Sequence, residues 1–311
     1  MEKAEIIKRI PRRLIRKELT SEHLICRTNH GGNVVYRINN FDSPNTMQEI
    51  GRLREIAFRN AGGGTGQAVD IDEYDICNPP FEQLLVWNPL AREIISSYRY
   101  ILGKNIKIDA NNNAQSPVGE LFRFSDKFIQ EYLPKSIELG RSFVQPKYQA
   151  SRKGIFALDN IWDGLGALLC MSPEIEYFYG KMTMYKSYNK LARDLILFFL
   201  QKHFSPKENL IQPIKPLKLY HKESLLASIL IADKFEDDYK ILVRETNNLQ
   251  CKIPPLVNIY MGLSPTMQFF GTSDNEEFGD VEESTILISI KDIYPIKKER
   301  HINCFKQQNK Q

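Results

Sequence analysis

An acid and a base stand three residues apart in Glu138-Leu-Gly-Arg141-Ser142-Phe143-Val-Gln-Pro-Lys147-Tyr-Gln149. A carboxylate on an otherwise apolar, strand-like run is stripped of water, which raises its pKa toward the range of a proton acceptor at neutral pH. Glu138 is therefore a candidate general base. In a strand, positions three apart face opposite sides unless a bulge intervenes. Gly140 lies between the two, and glycine is what such a bulge favours. Arg141 then either supports developing negative charge or simply pairs with Glu138; Ser142 and Phe143 are candidate substrate contacts. The run ends in a Pro-Lys-Tyr turn and a basic Ser-Arg152-Lys153-Gly154 loop, after which Ile155 to Leu169 reads as a helix. A strand feeding a helix through a basic loop exposes backbone N–H groups and a positive dipole end, which suits a phosphate. Lys147, Arg152, Lys153 and Gly154 are its candidate ligands.

A second cluster lies upstream: Arg54, Phe58, then Asp72-Glu-Tyr-Asp75, then Trp87 and Arg99. The spacing of the aspartates is neither strand-like nor helical, and on their own they read as a solvated acidic loop. Arg54 and Arg99 are able either to grip a carboxylate with two parallel hydrogen bonds or to fix the aspartates. Phe58 and Trp87 belong to the core or line an apolar pocket.

Taken in order, these residues resemble a known set. Arg54-x3-Phe58, Asp72-x2-Asp75, a lone Arg99 and Glu138-x2-Arg141 are similar to the pattern of acyl-homoserine-lactone synthases, in the GNAT superfamily of N-acyltransferases. The likeness is closer to the ornithine and glycine N-acyltransferases that make lyso-aminolipids, often labelled hemolysins. Those share Glu-Leu-Gly-Arg-Ser, the Tyr-Arg of Tyr98-Arg99, and Pro-Pro-Leu-x3-Tyr, here Pro254 to Tyr260. Leu158 to Gly164 looks like the form in Bacteroidetes members. The resemblance spans roughly residues 45 to 295. It implies attack of an amino acid's α-amine on a fatty acyl thioester, with Glu138, Arg141, Asp72 and Asp75 in catalytic positions. Arg54, Phe58, Arg99, Trp87, Ser142 and Phe143 would contact substrate. Coenzyme-A-using members carry Gln/Arg-x-x-Gly-x-Gly/Ala before the main helix. Gln149 to Gly154 is one residue longer and lacks the second glycine, which favours acyl carrier protein as donor, its phosphopantetheine thioester a co-substrate, with no other cofactor and no metal.

The resemblance implies glycine first, ornithine second, as acceptor, and a long fatty acyl chain with or without a 3-hydroxyl. An O-acyltransferase would need His-x4-Asp; His203 to Glu208 lacks the aspartate, so a separate O-acyltransferase would add a second chain. A membrane-active, lipid-binding protein without catalysis would explain the basic arm but not the ordered Arg, Asp and Glu set. A homoserine-lactone synthase would not need the extension past residue 205.

Composition sets bounds. At 311 residues, 42% hydrophobic and 26% charged, the chain has the balance of a globular protein with a sizeable core. No apolar run nears the ~18–20 residues of a membrane span, and the charged N-terminus lacks a signal core, so a cytoplasmic protein is expected. The five cysteines (26, 77, 170, 251 and 304) are scattered and read as free thiols; Cys26-x3-His30 with His301-x2-Cys304 is chance spacing rather than zinc. Seven basic residues precede position 18, interleaved with isoleucines and broken by Pro11. They form either a surface arm that attracts anionic lipid or an acidic carrier, placing the enzyme peripherally on the inner membrane face, or a solvated, disordered terminus. No aromatic-interleaved basic stripe accompanies them, so nucleic acid is not a partner. Since the candidate catalytic residues begin at Arg54, deletion of residues 1–18 should spare catalysis.

The elements that must position these residues alternate. A hairpin spans residues 22 to 40. A helix capped by Asp42-Ser-Pro-Asn-Thr follows and ends in the glycine run 62 to 66. Gln83–Trp87 and Ile94–Leu102 read as paired strands, Lys104–Pro117 as a loop, and Ser125–Leu133 as a short helix. The Glu138 strand and the 155–169 helix come next, then strand Tyr177–Tyr185 and helix Ser187–His203. Ser205–Pro216 marks a boundary. Glu223–Phe235 reads as a helix, and apolar runs Leu256–Met261 and Thr285–Ile290 bracket an acidic loop, Ser273–Glu283. This predicts an α/β protein of the GNAT fold: a mixed central sheet flanked by helices, with a C-terminal α+β extension. The expected divisions are a basic arm and hairpin (1–40), an acyltransferase core (41–205) and an extension completing the domain (206–311).

Overall fold

The computed structural model describes residues 3–149, 156–303 and 305. In chain order the strands are β1 (Leu24–Arg27), β2 (Val34–Ile38), β3 (Glu82–Asn88), β4 (Glu93–Leu102), β5 (Phe122–Phe124), β6 (Ser136–Val144), β7 (Tyr177–Tyr185), β8 (Ile211–Pro213), β9 (Gln268–Asn275) and β10 (Val281–Ser289). The helices are α1 (Arg12–Glu18), α2 (Pro44–Ala61), α3 (Glu73–Ile76), α4 (Pro146–Gln149), α5 (Ala157–Met171), α6 (Lys190–Phe204), α7 (Glu223–Ile229), α8 (Phe235–Asn248), α9 (Pro255–Met261) and α10 (Pro295–Lys298).

Eight strands form one sheet in the order β1-β2-β3-β4-β6-β7-β10-β9. Every neighbouring pair is antiparallel except β6 and β7, which run parallel. That pair meets only from Ser136↔Tyr177 to Leu139↔Gly180, although β6 continues to Val144 and β7 to Tyr185. A Cβ on Gly180 would sit 2.4 Å from the Leu139 carbonyl oxygen, so glycine is required where the strands meet. Beyond it they part and leave a gap.

Period-two alternation sorts the strand residues between two faces. Leu84, Tyr98, Ile137, Leu139, Phe178 and Ile286 pack on α5, α6 and the C-terminal helices in the largest core. The opposite face carries two smaller clusters. One, under α2 and Ile15 of α1, holds Phe58, Trp87, Phe143 and Phe278. The other, under the segment from Ile106 to Leu133, holds Ile101, Tyr179 and Leu287. Between them runs a polar stripe that includes Gln83, Arg99 and Glu138.

Several expectations are corrected. The 223–235 helix is two helices, because Lys202 Nζ takes the Leu230 and Ala232 carbonyls while Asp238 accepts the Ala232 N–H at 2.9 Å, stabilising a break. Leu256–Met261 is α9, and the acidic loop is mostly the facing ends of β9 and β10. The basic arm is neither loose nor separate. Pro11 starts α1 rather than breaking it, and Ile15 is 2% exposed. Arg9, Arg12 and Lys147 all converge on the buried Glu93 of β4, which also accepts from Tyr148 at 2.9 Å. Burial opposes ionisation of Glu93, but Lys147, Tyr148 and Arg9 hold its pKa down at about 2.

The helix α2 is likewise capped from outside its own sequence. Ser43 occupies the cap position without a capping hydrogen bond. Instead Glu18, at the end of α1, accepts the Asn45 N–H at 2.9 Å and the Thr46 N–H at 2.7 Å, and takes the Thr46 hydroxyl at 2.7 Å. A carboxylate at this end also meets the positive dipole. Deleting residues 1–18 therefore removes a cap and a core residue, and we expect it to unfold α2 rather than leave catalysis intact. Glu18→Ala alone should cost about 1 kcal/mol, the ordinary worth of a cap, read as a lower urea midpoint. An unchanged midpoint would show that α2 does not depend on α1.

Candidate active site

The two sequence clusters meet on the polar stripe. Arg54 of α2 is fully buried and donates to Asp75 Oδ2 at 2.9 Å and Gln83 Oε1 at 2.6 Å. Asp72 caps α3: its carboxylate accepts the Tyr74 and Asp75 N–H groups, while Asp75 reaches back to the Asp72 N–H. The expected acidic loop is thus a capping box, and the solvated reading fails, since Asp75 has no exposure. Arg99 of β4 donates to Asp72 Oδ1 at 2.5 Å and lies 3.3 Å from Asp75 Oδ2. Arg141 of β6 reaches Asp72 Oδ2 at 3.3 Å and Asp70 Oδ2 at 3.2 Å. Three arginines and three aspartates therefore form one neutral cluster.

The electrostatics follow. Burial opposes charge on Asp72, but Arg99, then Arg141 and Arg54, outweigh it and hold its pKa well below the carboxylate range. Asp70 is raised instead, because its burial exceeds the pull of Arg141 and Arg54. A low folded pKa means that Asp72 adds stability above its unfolded value near 3.9. That stability is lost as pH falls below this value.

A bulge does intervene on β6. Ser97↔Phe143 is followed by Arg99↔Gly140, so β6 has one extra residue there. The residue in the left-handed region is Arg141, with φ +49°, not Gly140 as expected; a Cβ on Gly140 would meet nothing within 4 Å. Arg141 is held in this costly conformation by Asp70, Asp72 and the Phe278 ring, 4.0 Å from its guanidinium carbon. Its partners are these, not Glu138, so a Glu138–Arg141 ion pair is excluded.

Glu138 is 2% exposed and its oxygens are occupied. Tyr179 donates to Oε2 at 2.6 Å, the Val118 N–H to Oε1 at 3.1 Å, and Ser116 also donates to the carboxylate. Burial raises its pKa against those three hydrogen bonds and Lys181. Glu138 thus anchors the 116–120 turn laid over it.

Trp87, Phe58 and Phe143 lie together in the apolar cluster under α2, with Phe58 edge-on to Phe278 at 5.1 Å; Ser142 is half-buried beside Arg141. Lys147 is engaged with Glu93. Arg152, Lys153 and Gly154 lie outside the described residues. Residue spacing alone did not single out Gln83, Tyr179, Lys181, Glu283 or Asp70. Lys181 Nζ donates to the Pro117 carbonyl at 2.7 Å and pairs with Glu283 at 2.6 Å, at the point where β6 and β7 part. The signal for Lys181 and Glu283 is a charge at an inward position of an apolar strand. Asp70 carried no such signal.

A mixed sheet with a bulged strand and a parallel pair that splays open defines a GNAT acyltransferase. Residues 53–158 match the model of the acetyltransferase (GNAT) domain. A glycine N(alpha)-acyltransferase of Phocaeicola vulgatus is 51% identical over 98% of this chain and 94% of its own length. Another, of Bacteroides thetaiotaomicron, is 52% identical over 97% of this chain and 90% of its own. The chain belongs to this family of N-acyltransferases and is an acyltransferase enzyme. Two structures of a CoA-dependent acyl-homoserine lactone synthase, one with SAM and isopentyl-CoA and one with MTA, match at TM-score 0.30 and 15% identity. Each covers 49% of this chain, and 68% and 67% of its own; at that score the likeness decides nothing about this site. Among the described residues no helix is long and apolar enough to cross a membrane.

Removing one partner from a buried ion pair leaves the other uncompensated, at about 3–5 kcal/mol. Asp75→Ala, which strands Arg54, should lose stability on that scale in chemical denaturation. A loss below 1 kcal/mol would show that Arg54 does not rely on Asp75.

Proposed function

We propose that this enzyme transfers a long fatty acyl group, with or without a 3-hydroxyl, from acyl carrier protein to the α-amine of glycine, giving a lyso-aminolipid. The observation that carries the acceptor is the identity of 51–52%, over nearly the whole chain, to two enzymes named for glycine. Ornithine is the second candidate. The second acyl chain is left to a separate O-acyltransferase.

The geometry supports the reaction as follows. Residues 140–144 of β6 have no partner in β7, so the gap takes an extended thioester arm with the acyl carbonyl beside the bulge. Backbone N–H groups fixed there stabilise an oxyanion without reorganising. Arg99 and Arg141, both held by Asp72, fix the strands on either side of the bulge. The apolar cluster of Phe58, Trp87 and Phe143 under α2 borders the acyl end. On the donor side, Arg9, Arg12 and Lys147 crowd one carboxylate while their side chains stay half exposed. This leaves a net positive face for the phosphate of a phosphopantetheine arm and its acidic carrier. The exposed Arg13, Arg16 and Lys17 of α1 extend that face and draw the enzyme toward anionic membrane surfaces.

Purified enzyme should form N-acylglycine with a kcat/KM far higher from acyl carrier protein than from the matching acyl-coenzyme A. Equal values would overturn the carrier as donor. Lipid mass spectrometry of a host expressing the chain should show N-acylglycine; N-acylornithine in its place would overturn glycine.

A further inference from the structure

With Glu138 sealed beneath the 116–120 turn, the amine must lose its proton to another group, and the same turn carries one on its outer side. Glu120 accepts a hydrogen bond from the Tyr74 hydroxyl at 2.6 Å. It stands at the wall of a cavity of about 580 Å³, which is also lined by Glu73, Lys215 and Asn275. The turn is fixed by three contacts. Its Val118 N–H binds Glu138, its Pro117 carbonyl binds Lys181, and Gly119 packs so tightly that a Cβ would lie 2.0 Å from the Ala114 carbonyl oxygen. A chain of contacts links the cavity wall to the splay: Asn275 donates to Glu283 at 3.2 Å, and Glu283 pairs with Lys181 where β6 and β7 part. Tyr74 belongs to α3, the helix that Asp72 caps, so the phenol and the arginine cluster share one support.

We propose that Glu120 is the catalytic residue that receives the proton of the acceptor ammonium, with Tyr74 as the residue that positions it. This inference rests on the N-acyltransferase reading and assigns the acceptor side of the same site. The ammonium gives one proton to the Glu120 carboxylate. The neutral amine then adds to the thioester carbonyl, the C–N bond forms, and the C–S bond breaks. The thiolate leaves with the amine's second proton, and Glu120 returns its own to solvent. The products are an amide and a thiol.

The surroundings suit the task. Glu120 is exposed as a residue, and its carboxylate is held against the Tyr74 hydroxyl. Partial burial lifts its pKa above the ordinary value, against Tyr74 and Lys181 and with Glu73 and Asp72 adding to the rise. The charged groups that face it are Glu73 and Asp72 at the start of α3, Lys181 of β7, Lys215 beyond β8, and Asp274, Glu276 and Glu277 around the end of β9. Burial and the Glu120 hydrogen bond push the Tyr74 phenol far above its usual range, so it stays protonated and donates.

The test compares Glu120→Gln, Tyr74→Phe and Glu138→Gln, each checked for folding by thermal melting, using whichever amino acid the wild-type chain acylates best. A failure of the glycine assignment therefore leaves it intact. Glu120→Gln should lose on the order of 10²–10⁴-fold in kcat/KM for the amine at neutral pH, with KM for the thioester unchanged. The acid limb of its pH profile should vanish, and the deficit should shrink as pH nears the amine's own pKa, where solvent supplies free amine. Tyr74→Phe should shift that limb with a smaller loss. A folded Glu120→Gln variant with wild-type rate and acid limb would overturn the proposal. So would transfer of the high-pH rescue to Glu138→Gln, which would return the proton to Glu138.

Discussion

The neutral cluster of Arg54, Arg99 and Arg141 with Asp70, Asp72 and Asp75 is the constraint on which the site depends. Arg54, Arg99, Asp70 and Asp75 have given up their water, and their partners offset that loss. The members come from α2, the segment around α3, β4 and β6, so none of these elements can shift without stranding a charge. Asp72 is the hub: one carboxylate caps a helix, holds Arg99 and holds Arg141. Through Arg141 the cluster reaches the backbone, because the ion pairs and the Phe278 ring retain a left-handed, non-glycine residue in the middle of a strand. The resulting bulge lies beside the stretch where β6 and β7 have separated.

One sheet face thus carries two tasks without conflict. Alternation puts Ile137 and Leu139 into the main core and Glu138 between them on the other side. On that other face the apolar clusters under α2 and under the 106–133 segment enclose the polar stripe from two sides. The stripe's charges therefore sit in a low-dielectric setting, where fixed dipoles and charges act more strongly than in water. Lys181 and Glu283 extend it across the gap to the far strands.

Much of this was legible in the sequence, and the failures share a cause. Tyr177–Tyr185 is read off correctly because its aromatic and β-branched composition is intrinsic to one segment. The mixed, helix-flanked sheet follows from the same kind of local signal. The bulge was anticipated from Glu138 and Arg141 having to share a face, but it was placed on glycine by local propensity, whereas distant ion pairs decide it. Asp72 and Asp75 looked solvated because the arginines that pay for their burial lie 18 or more residues away. The α2 cap was sought next to the helix, yet Glu18 supplies it from another helix. The 230–234 break was missed because Lys202 and Asp238 stabilise it through space. Wherever a partner was sequence-distant, residue type alone misled.

The order in which the sheet is completed has a consequence for synthesis. Strand β7 shares only four positions with β6, and its full-length neighbour, β10, arrives about a hundred residues later in the chain. A ribosome that has released residues up to α6 has therefore exposed both walls of the gap, with one long strand edge still unpaired. Such edges template association between chains, and non-local pairing is slow to form. The β9–β10 hairpin thus acts as a late cover strip. Until it docks, the nascent enzyme is open to other strands along the edge beside the gap between β6 and β7.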